Sequence, residues 1–308
     1  MNRRSFVKNG AFTGFLLASG TFPLLASRNE PEISMLTILH TNDVHSRIDP
    51  FPMDGSRNQG LGGVAKRATL IKSLRDDNKN LLLLDAGDIF QGTPYFNFFG
   101  GELEIKLMSE MGYDAVTIGN HDFDGGMDGL DKQLRHANFP FLISNYDFKD
   151  TILNNKTLPY KIFKKDGFKI GVFGLGIELK GLVPDKLCRG IIYTDPIVAA
   201  EKCGTVLKMD EKCDYVICLS HLGYKYDENK ISDRVLAQNS SYIDLIIGGH
   251  THTFLKEAER IKNKIGKPVL INQVGWAGIL LGRLDVYFEK NKMGTCVTCK
   301  NLLVGNKS

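Results

Sequence analysis

Five short, mainly apolar runs in this chain each break off at a residue able to bind a metal ion. They are 36–39 before Asp43 and His45, 81–84 before Asp88, 115–118 before Asn120 and His121, 215–219 before His221, and 243–247 before His250 and His252. Runs of four or five such residues, bounded by Gly, Asp or Asn, have the length and character of strands buried on both faces. In an open α/β sheet, reactive groups gather in the crevice outside the carboxyl ends of the strands. Five runs of this kind therefore line up Asp, His and Asn side chains along one edge.

Between residues 33 and 290 apolar strands alternate with amphipathic helices, and no low-complexity linker, charge block or repeat divides the segment. This predicts one α/β domain. Gly62 and Gly63 open a helix to about Arg75, a second helix is expected over 98–111 with Gly112 closing it, and Asp195-Pro196 caps a third. Further strands are expected at 139–143, 160–163, 168–173, 269–272 and 279–288. That number exceeds the needs of one short sheet and predicts two packed sheets with helices outside. Residues 291–308 read as a carboxyl-terminal tail.

The amino terminus, Asn2-Arg3-Arg4-Ser5-Phe6-Val7-Lys8 followed by an apolar stretch over 11–26, looks like an export leader of the twin-arginine type spanning 1–26. Gly10, Gly14, Gly20 and Pro23 make it a poor permanent membrane span. The expectation is a periplasmic protein, or one held at the inner membrane if the leader stays uncleaved. The formal charge is +4, and without Arg3, Arg4 and Lys8 the chain holds 36 basic against 35 acidic residues. Such a balance excludes neither sign of partner locally, but it gives no electrostatic basis for binding nucleic acid. Six cysteines, at 188, 203, 213, 218, 296 and 299, lack the paired spacing of a zinc knuckle. They read as plain thiols, with Cys296 and Cys299 a candidate local disulfide.

Asp43-Val44-His45 and His250-Thr251-His252 share a spacing of two, which in extended backbone aims both side chains to one side. Asp88 follows Gly87, whose freedom lets the carboxylate face back over the strand end. With Asp88 counted for two cations, Asp43, His45, Asp88, Asn120, His221, His250 and His252 offer four bonds to each of two metals. Each motif alone is a weak signal; their order along one domain is what carries the reading. By contrast His40 has no counterpart and reads as structural, while His136 reads as a solvated helix flank. Gly60-Leu61-Gly62-Gly63 fits a phosphate cradle at a helix start or, more simply, a turn.

Thr41-Asn42-Asp43-Val44-His45, Gly87-Asp88, Gly119-Asn120-His121-Asp122-Phe123-Asp124, Ser220-His221 and Gly248-Gly249-His250-Thr251-His252 resemble the block motifs of the calcineurin-like metallophosphoesterases. More closely, the chain is similar to the amino-terminal catalytic domain of secreted bacterial 5′-nucleotidases over 36–288. The resemblance implies two β-sheets packed face to face with helices on both sides. It implies one metal on Asp43, His45, Asp88 and His252 and another on Asp88, Asn120, His221 and His250. It makes His121 the group that stabilises the transition state and protonates the leaving oxygen, with Asp124 holding its ring. The close nucleotidases can carry Gln at the position of His252, so metal preference is open among zinc, manganese and iron.

What the resemblance implies about function is a two-metal phosphomonoesterase acting on nucleotides. Such nucleotidases continue into a domain that clamps the base and supplies arginines, which 291–308 is too short to be; a separately encoded substrate-binding chain is the expected partner. Two alternatives share the metal site: a hydrolase of 2′,3′-cyclic nucleotides or nucleotide sugars, and a non-catalytic metal-binding subunit.

Overall fold

A computed structural model of the chain describes residues 33–228, 230–289 and 295–305. The expected leader lies outside them. The strands are β1 (Ile33–Thr41), β2 (Leu81–Asp85), β3 (Ala115–Val116), β4 (Tyr146–Asp147), β5 (Tyr160–Lys165), β6 (Phe168–Leu175), β7 (Ile192–Tyr193), β8 (Tyr215–Ser220), β9 (Leu245–Gly248), β10 (Glu259–Lys262), β11 (Pro268–Asn272), β12 (Leu280–Glu289) and β13 (Thr295–Leu303). The helices are α1 (Val64–Asp77), α2 (Pro94–Phe99), α3 (Glu102–Met111), α4 (Gly126–Leu134), α5 (Asp185–Cys188), α6 (Pro196–Thr205) and α7 (Asp233–Asn239).

Two mixed sheets result, as expected from the strand count. The first has the order β13-β12-β1-β2-β3 and the second β10-β11-β9-β8-β6-β5. Within the first, β1, β2 and β3 run parallel; within the second, β6, β8, β9 and β11 do. The alternation of side chains along each strand sorts them into layers. In β2, Leu82 and Leu84 enter the core between the sheets, whereas Leu81 and Leu83 face the helices outside. In β8, Tyr215, Ile217 and Leu219 point inward, and Val216 and Cys218 pack on the other side with Ala199, Ala200 and Cys203 of α6 and Leu236 of α7. Both faces of these strands are therefore apolar, which is why the sequence shows unbroken apolar runs.

A polar brace joins the sheets. His40 of β1 is fully buried, and its Nε2 accepts from Asn272 Nδ2 at 2.8 Å; Asn272 in turn donates to Asn301 Oδ1 at 2.9 Å. Burial pushes His40 down to about 3, so it stays a neutral structural group, although its Nδ1 has no partner among the described residues.

Several expectations are corrected. The single helix over 98–111 is two, because Gly100 and Gly101 adopt φ of 60° and 95° and end α2 before α3 begins. Residues 139–143 are not a sheet strand; Phe141 and Leu142 make isolated bridges to Val116 and Leu158. The segment read as a tail holds β13, paired antiparallel with β12 from Leu280↔Leu303 to Phe288↔Thr295. Cys188, Cys203, Cys213, Cys218 and Cys299 carry free thiols, and the side chain of Cys296, the other member of the candidate disulfide, lies outside the described residues. At 60–63 the simpler expectation, a turn, is met: Gly60 N donates to Phe51 O (2.9 Å), Leu61 N to Asn58 O (3.0 Å) and Gly62 N to Val304 O (2.8 Å). As expected, Asp195 caps α6, its carboxylate accepting from Ile197 N at 2.7 Å and Val198 N at 3.1 Å.

At Gly101 a Cβ would sit 2.6 Å from the Phe90 ring, in a backbone conformation that L-residues avoid. Gly101→Ala is expected to lower the free energy of unfolding by more than about 1 kcal/mol, read from urea denaturation; an unchanged midpoint would mean that the α2–α3 break is not enforced there.

Candidate metal centre

The parallel strands of both sheets end at the same edge, and the loops that follow them carry the site. Past β1 and β2 the chains stay side by side: Asp43 N donates to Gly87 O (2.9 Å), His45 N to Asp88 O (3.1 Å) and Ser46 N to Ile89 O (2.9 Å). His250, arriving from β9 of the other sheet, donates its amide to Asp43 Oδ1 at 2.9 Å and Oδ2 at 3.0 Å. One carboxylate thus ties the two sheet edges together.

All seven expected ligands and the expected catalytic pair meet here. The ligand atoms fall into two groups, Asp43 with His45 and His252, and Asp88 with His221 and His250, each with its atoms within 4.8 Å of one another. Asp88 lies between them, its Oδ2 3.1 Å from His221 Nε2 and 3.8 Å from His45 Nε2. Asn120 joins the second group, with Oδ1 2.8 Å from His250 Nδ1. In the first, His252 Nε2 stands 3.0 Å from His45 Nε2 and 3.4 Å from Asp43 Oδ1.

The reason the spacing-of-two pairs converge differs from the extended-strand expectation. Asp43, His45, Asp88, His250 and His252 all have left-handed backbone, with φ between 49° and 70°. Asp, Asn and His tolerate this region better than other side-chain-bearing residues, so residue types that ligate metals also fit these turns. Gly119 answers a different need, since a Cβ there would overlap the Asp88 carboxylate.

The donor set fits divalent cations. His221 Nδ1 faces Ala86 O at 2.7 Å and His45 Nδ1 faces Phe90 O and Gln91 O at 3.2 Å. In a neutral imidazole, a ring nitrogen that donates to a carbonyl leaves the other nitrogen free to ligate. With a cation bound, His221 would present Nε2 in this form, fully buried and 3.1 Å from Asp88 Oδ2. Burial by itself would lower His221, but the charge and hydrogen bonding of Asp88 outweigh it and raise the ring to about 10, which expresses a demand for positive charge at this spot. Ligand atoms around a cation with bonds of about 2.0–2.1 Å stand roughly 2.9–3.3 Å from each other, matching the His45–His252 and Asp88–His221 separations.

At the rim, His121 Nδ1 is 2.8 Å from Asp124 Oδ2, the His121 side chain is 44% exposed, and its ring meets that of His45 edge-on at 5.3 Å. Burial opposes protonation of His121, yet its hydrogen bond to Asp124 and the charge of Asp88 raise it above its ordinary value.

Sequence reasoning missed the residues that hold the ligands. Buried Asp122 accepts from the amides of Gly119 (2.8 Å), Asp88 (3.1 Å), Ile89 (2.8 Å) and Phe90 (3.2 Å), and so shapes the Asp88 loop. Asn42 donates to Asp43 Oδ2 at 2.6 Å and to Gly275 O at 2.6 Å while accepting from Val274 N at 3.0 Å. Gln273 donates to Gly249 O at 2.6 Å and accepts from Thr253 N, fixing the His250–His252 turn. Only the positions of Asn42 next to Asp43 and of Asp122 next to His121 signalled them.

The sequence pattern of the calcineurin-like phosphoesterases matches residues 36–254. Over 277 residues the chain is 36% identical to a snake venom 5′-nucleotidase of Gloydius brevicauda, covering 82% of this chain and 45% of that one. Among solved structures, the 5′-nucleotidase precursor of Thermus thermophilus superposes with a TM-score of 0.79 at 30% identity, over 88% of this chain and 55% of that one. The NAD nucleotidase of Haemophilus influenzae gives 0.78 at 30% identity, over 89% and 51%. The chain spans about half the length of the curated relatives it matches.

Asp122→Ala would strip a buried acceptor from four amides. At about 1–3 kcal/mol for each buried donor left unpaired, unfolding free energy is expected to fall by about 3 kcal/mol or more in urea denaturation. A loss below about 1 kcal/mol would show that the loop holds its own shape.

Proposed function

We propose that this chain, which belongs to the calcineurin-like phosphoesterase family, is a two-metal phosphomonoesterase that releases phosphate from nucleotides in the manner of a 5′-nucleotidase. The observation that carries this reading is the intact His121–Asp124 pair at the open rim of two adjoining ligand groups. A binding module without chemistry has no use for a proton donor placed there.

Asp43, His45, Asp88 and His252 would hold one divalent cation, and Asp88, Asn120, His221 and His250 the other. Nitrogen-rich ligation favours zinc, manganese or iron over magnesium. Two such ions supply an activated water and a grip on the phosphoryl oxygens during in-line displacement. The chain's own contribution is proton transfer and positioning. With Nδ1 engaged by Asp124, the His121 ring presents Nε2 as the donor, and it protonates the ester oxygen as the bond to phosphorus breaks. Asp124 orients that ring and stabilises its charged form. Buried Asp122 and Asn42 keep Asp88 and Asp43 from moving as charge shifts.

Choice of nucleotide is assigned to a base-binding part outside the described residues, of the kind the further length of the curated relatives could supply. It is supported by relatives about twice as long as the matched region. Export to the periplasm rests on the twin-arginine pattern at residues 2–8; among the described residues no helix is long and apolar enough to cross a membrane. A second reading, cleavage of a nucleotide pyrophosphate such as a nucleotide sugar, draws on the likeness to the Haemophilus influenzae NAD nucleotidase.

The test is phosphate release from AMP, UDP-glucose and cyclic nucleotides by the protein loaded with manganese or zinc. AMP is expected to turn over fastest, and Asp88→Asn to abolish turnover; activity unchanged by that substitution would sink the mechanism. The role of His121 has its own signature. His121→Ala should slow AMP hydrolysis about 10²–10⁴-fold but p-nitrophenyl phosphate far less, because a good leaving group needs no proton. Equal losses on both esters would remove His121 as the acid.

A further inference from the structure

Two of the four ligand imidazoles, His45 and His221, have Nδ1 fixed by main-chain carbonyls. His252 has no such anchor among the described residues. The polar contacts of its ring, to His45 Nε2 and Asp43 Oδ1, both lie on the ligand side, and its side chain is 40% exposed. What the imidazole has instead is a flat neighbour. Trp276, the one tryptophan of the chain, stacks on it at 12° with ring centroids 5.8 Å apart.

The indole is itself held. Phe51 meets it edge-on at 5.7 Å and 80°, and the Arg47 guanidinium lies 4.2 Å over the Phe51 ring. Its loop is stitched to both ligand loops of the same group: Ala277 N donates to Asp43 O at 2.7 Å, and Gly275 N to Thr253 O at 3.0 Å. Asn42 spans the junction by bonding Gly275 O and Asp43 Oδ2 together. The tryptophan is thus placed by the backbone that places Asp43 and His252, and it contacts a ligand that, among the described residues, has no hydrogen bond behind it.

We propose that Trp276 is the positioning residue for His252: its indole sets the plane of the imidazole in place of the usual hydrogen bond, and so sets the affinity of the outer cation position. Being the sole tryptophan, its emission also reports whether that position is filled. The inference rests on the reading of His252 as a ligand. An outer partner of a ligating histidine typically governs about 10–100-fold in metal affinity, and the stack carries that share here.

Metal-stripped wild type, Trp276→Phe, Trp276→Leu and His252→Ala are titrated with manganese, with bound ion counted by electron paramagnetic resonance and tryptophan emission followed in parallel. Wild type is expected to bind two ions, with paramagnetic quenching that tracks one of them and is lost in His252→Ala. Trp276→Leu should bind one ion about tenfold or more weakly and the other unchanged, while Trp276→Phe, which keeps a flat ring, recovers most of the loss. Wild-type affinity for both ions in Trp276→Leu overturns the proposal, as does equal weakening of both, which marks a merely structural role. If Trp276→Leu fails to fold, wild-type emission insensitive to manganese while two ions bind overturns it equally. A wild type that binds no manganese instead removes the metal-centre reading, a failure visible before any variant is compared.

Discussion

Two carboxylates, Asp43 and Asp88, are buried among imidazole nitrogens, and among the described residues no lysine or arginine pairs with either. Leaving a carboxylate in such a place uncompensated costs several kcal/mol. Backbone amides of His250 and His121 and the amide of Asn42 take part of the load. The remainder calls for positive charge, which a proton on His221 supplies and a cation could replace; His45 and His221, with Nδ1 turned to main-chain carbonyls and Nε2 turned in, are arranged to accept it. The sheets, their shared edge and the buried supports of the loops all serve to keep these acids together against their mutual repulsion.

That edge exists because both sheets are parallel where it matters. Had β9 run against β8, His250 would leave at the far end of the sandwich. The inter-sheet core, where Leu82 and Leu84 face Ile217 and Leu219, holds the two edges in register, and the contact of the His250 amide with Asp43 closes the gap between them. The left-handed turns then shorten the reach from strand end to ligand. Non-glycine residues in this region are uncommon, and five of the seven ligands adopt it; each turn is held by hydrogen bonds to a neighbouring loop rather than by local preference.

The apolar runs at 81–84 and 215–219 announced strands because both of their faces are buried, and a ligand just beyond each run announced the site. What local sequence could not convey was cooperation between distant segments. Nothing near Asp122 says that its carboxylate will gather amides from residues 88–90, and nothing near Trp276 says that His252 lacks another support. The split of 98–111 at Gly100 and Gly101 was visible as a pair of glycines, but amphipathic periodicity on either side concealed it. Strand β13 escaped notice because Lys300 and Asn301 interrupt its apolar pattern, and its place is set by the exposed edge of β12.

The two halves of the centre differ in how deeply they are set. His221 is wholly covered, with Asp88 and Asn120 nearly so, while His252 stands at the surface beside its tryptophan. Solvent reaches one position far more readily than the other, so the two ions would exchange with the medium at unequal rates. A protein filled in one metal supply and moved to another would then keep its deeper ion and replace its shallower one, carrying in its mixed composition a record of where it was assembled.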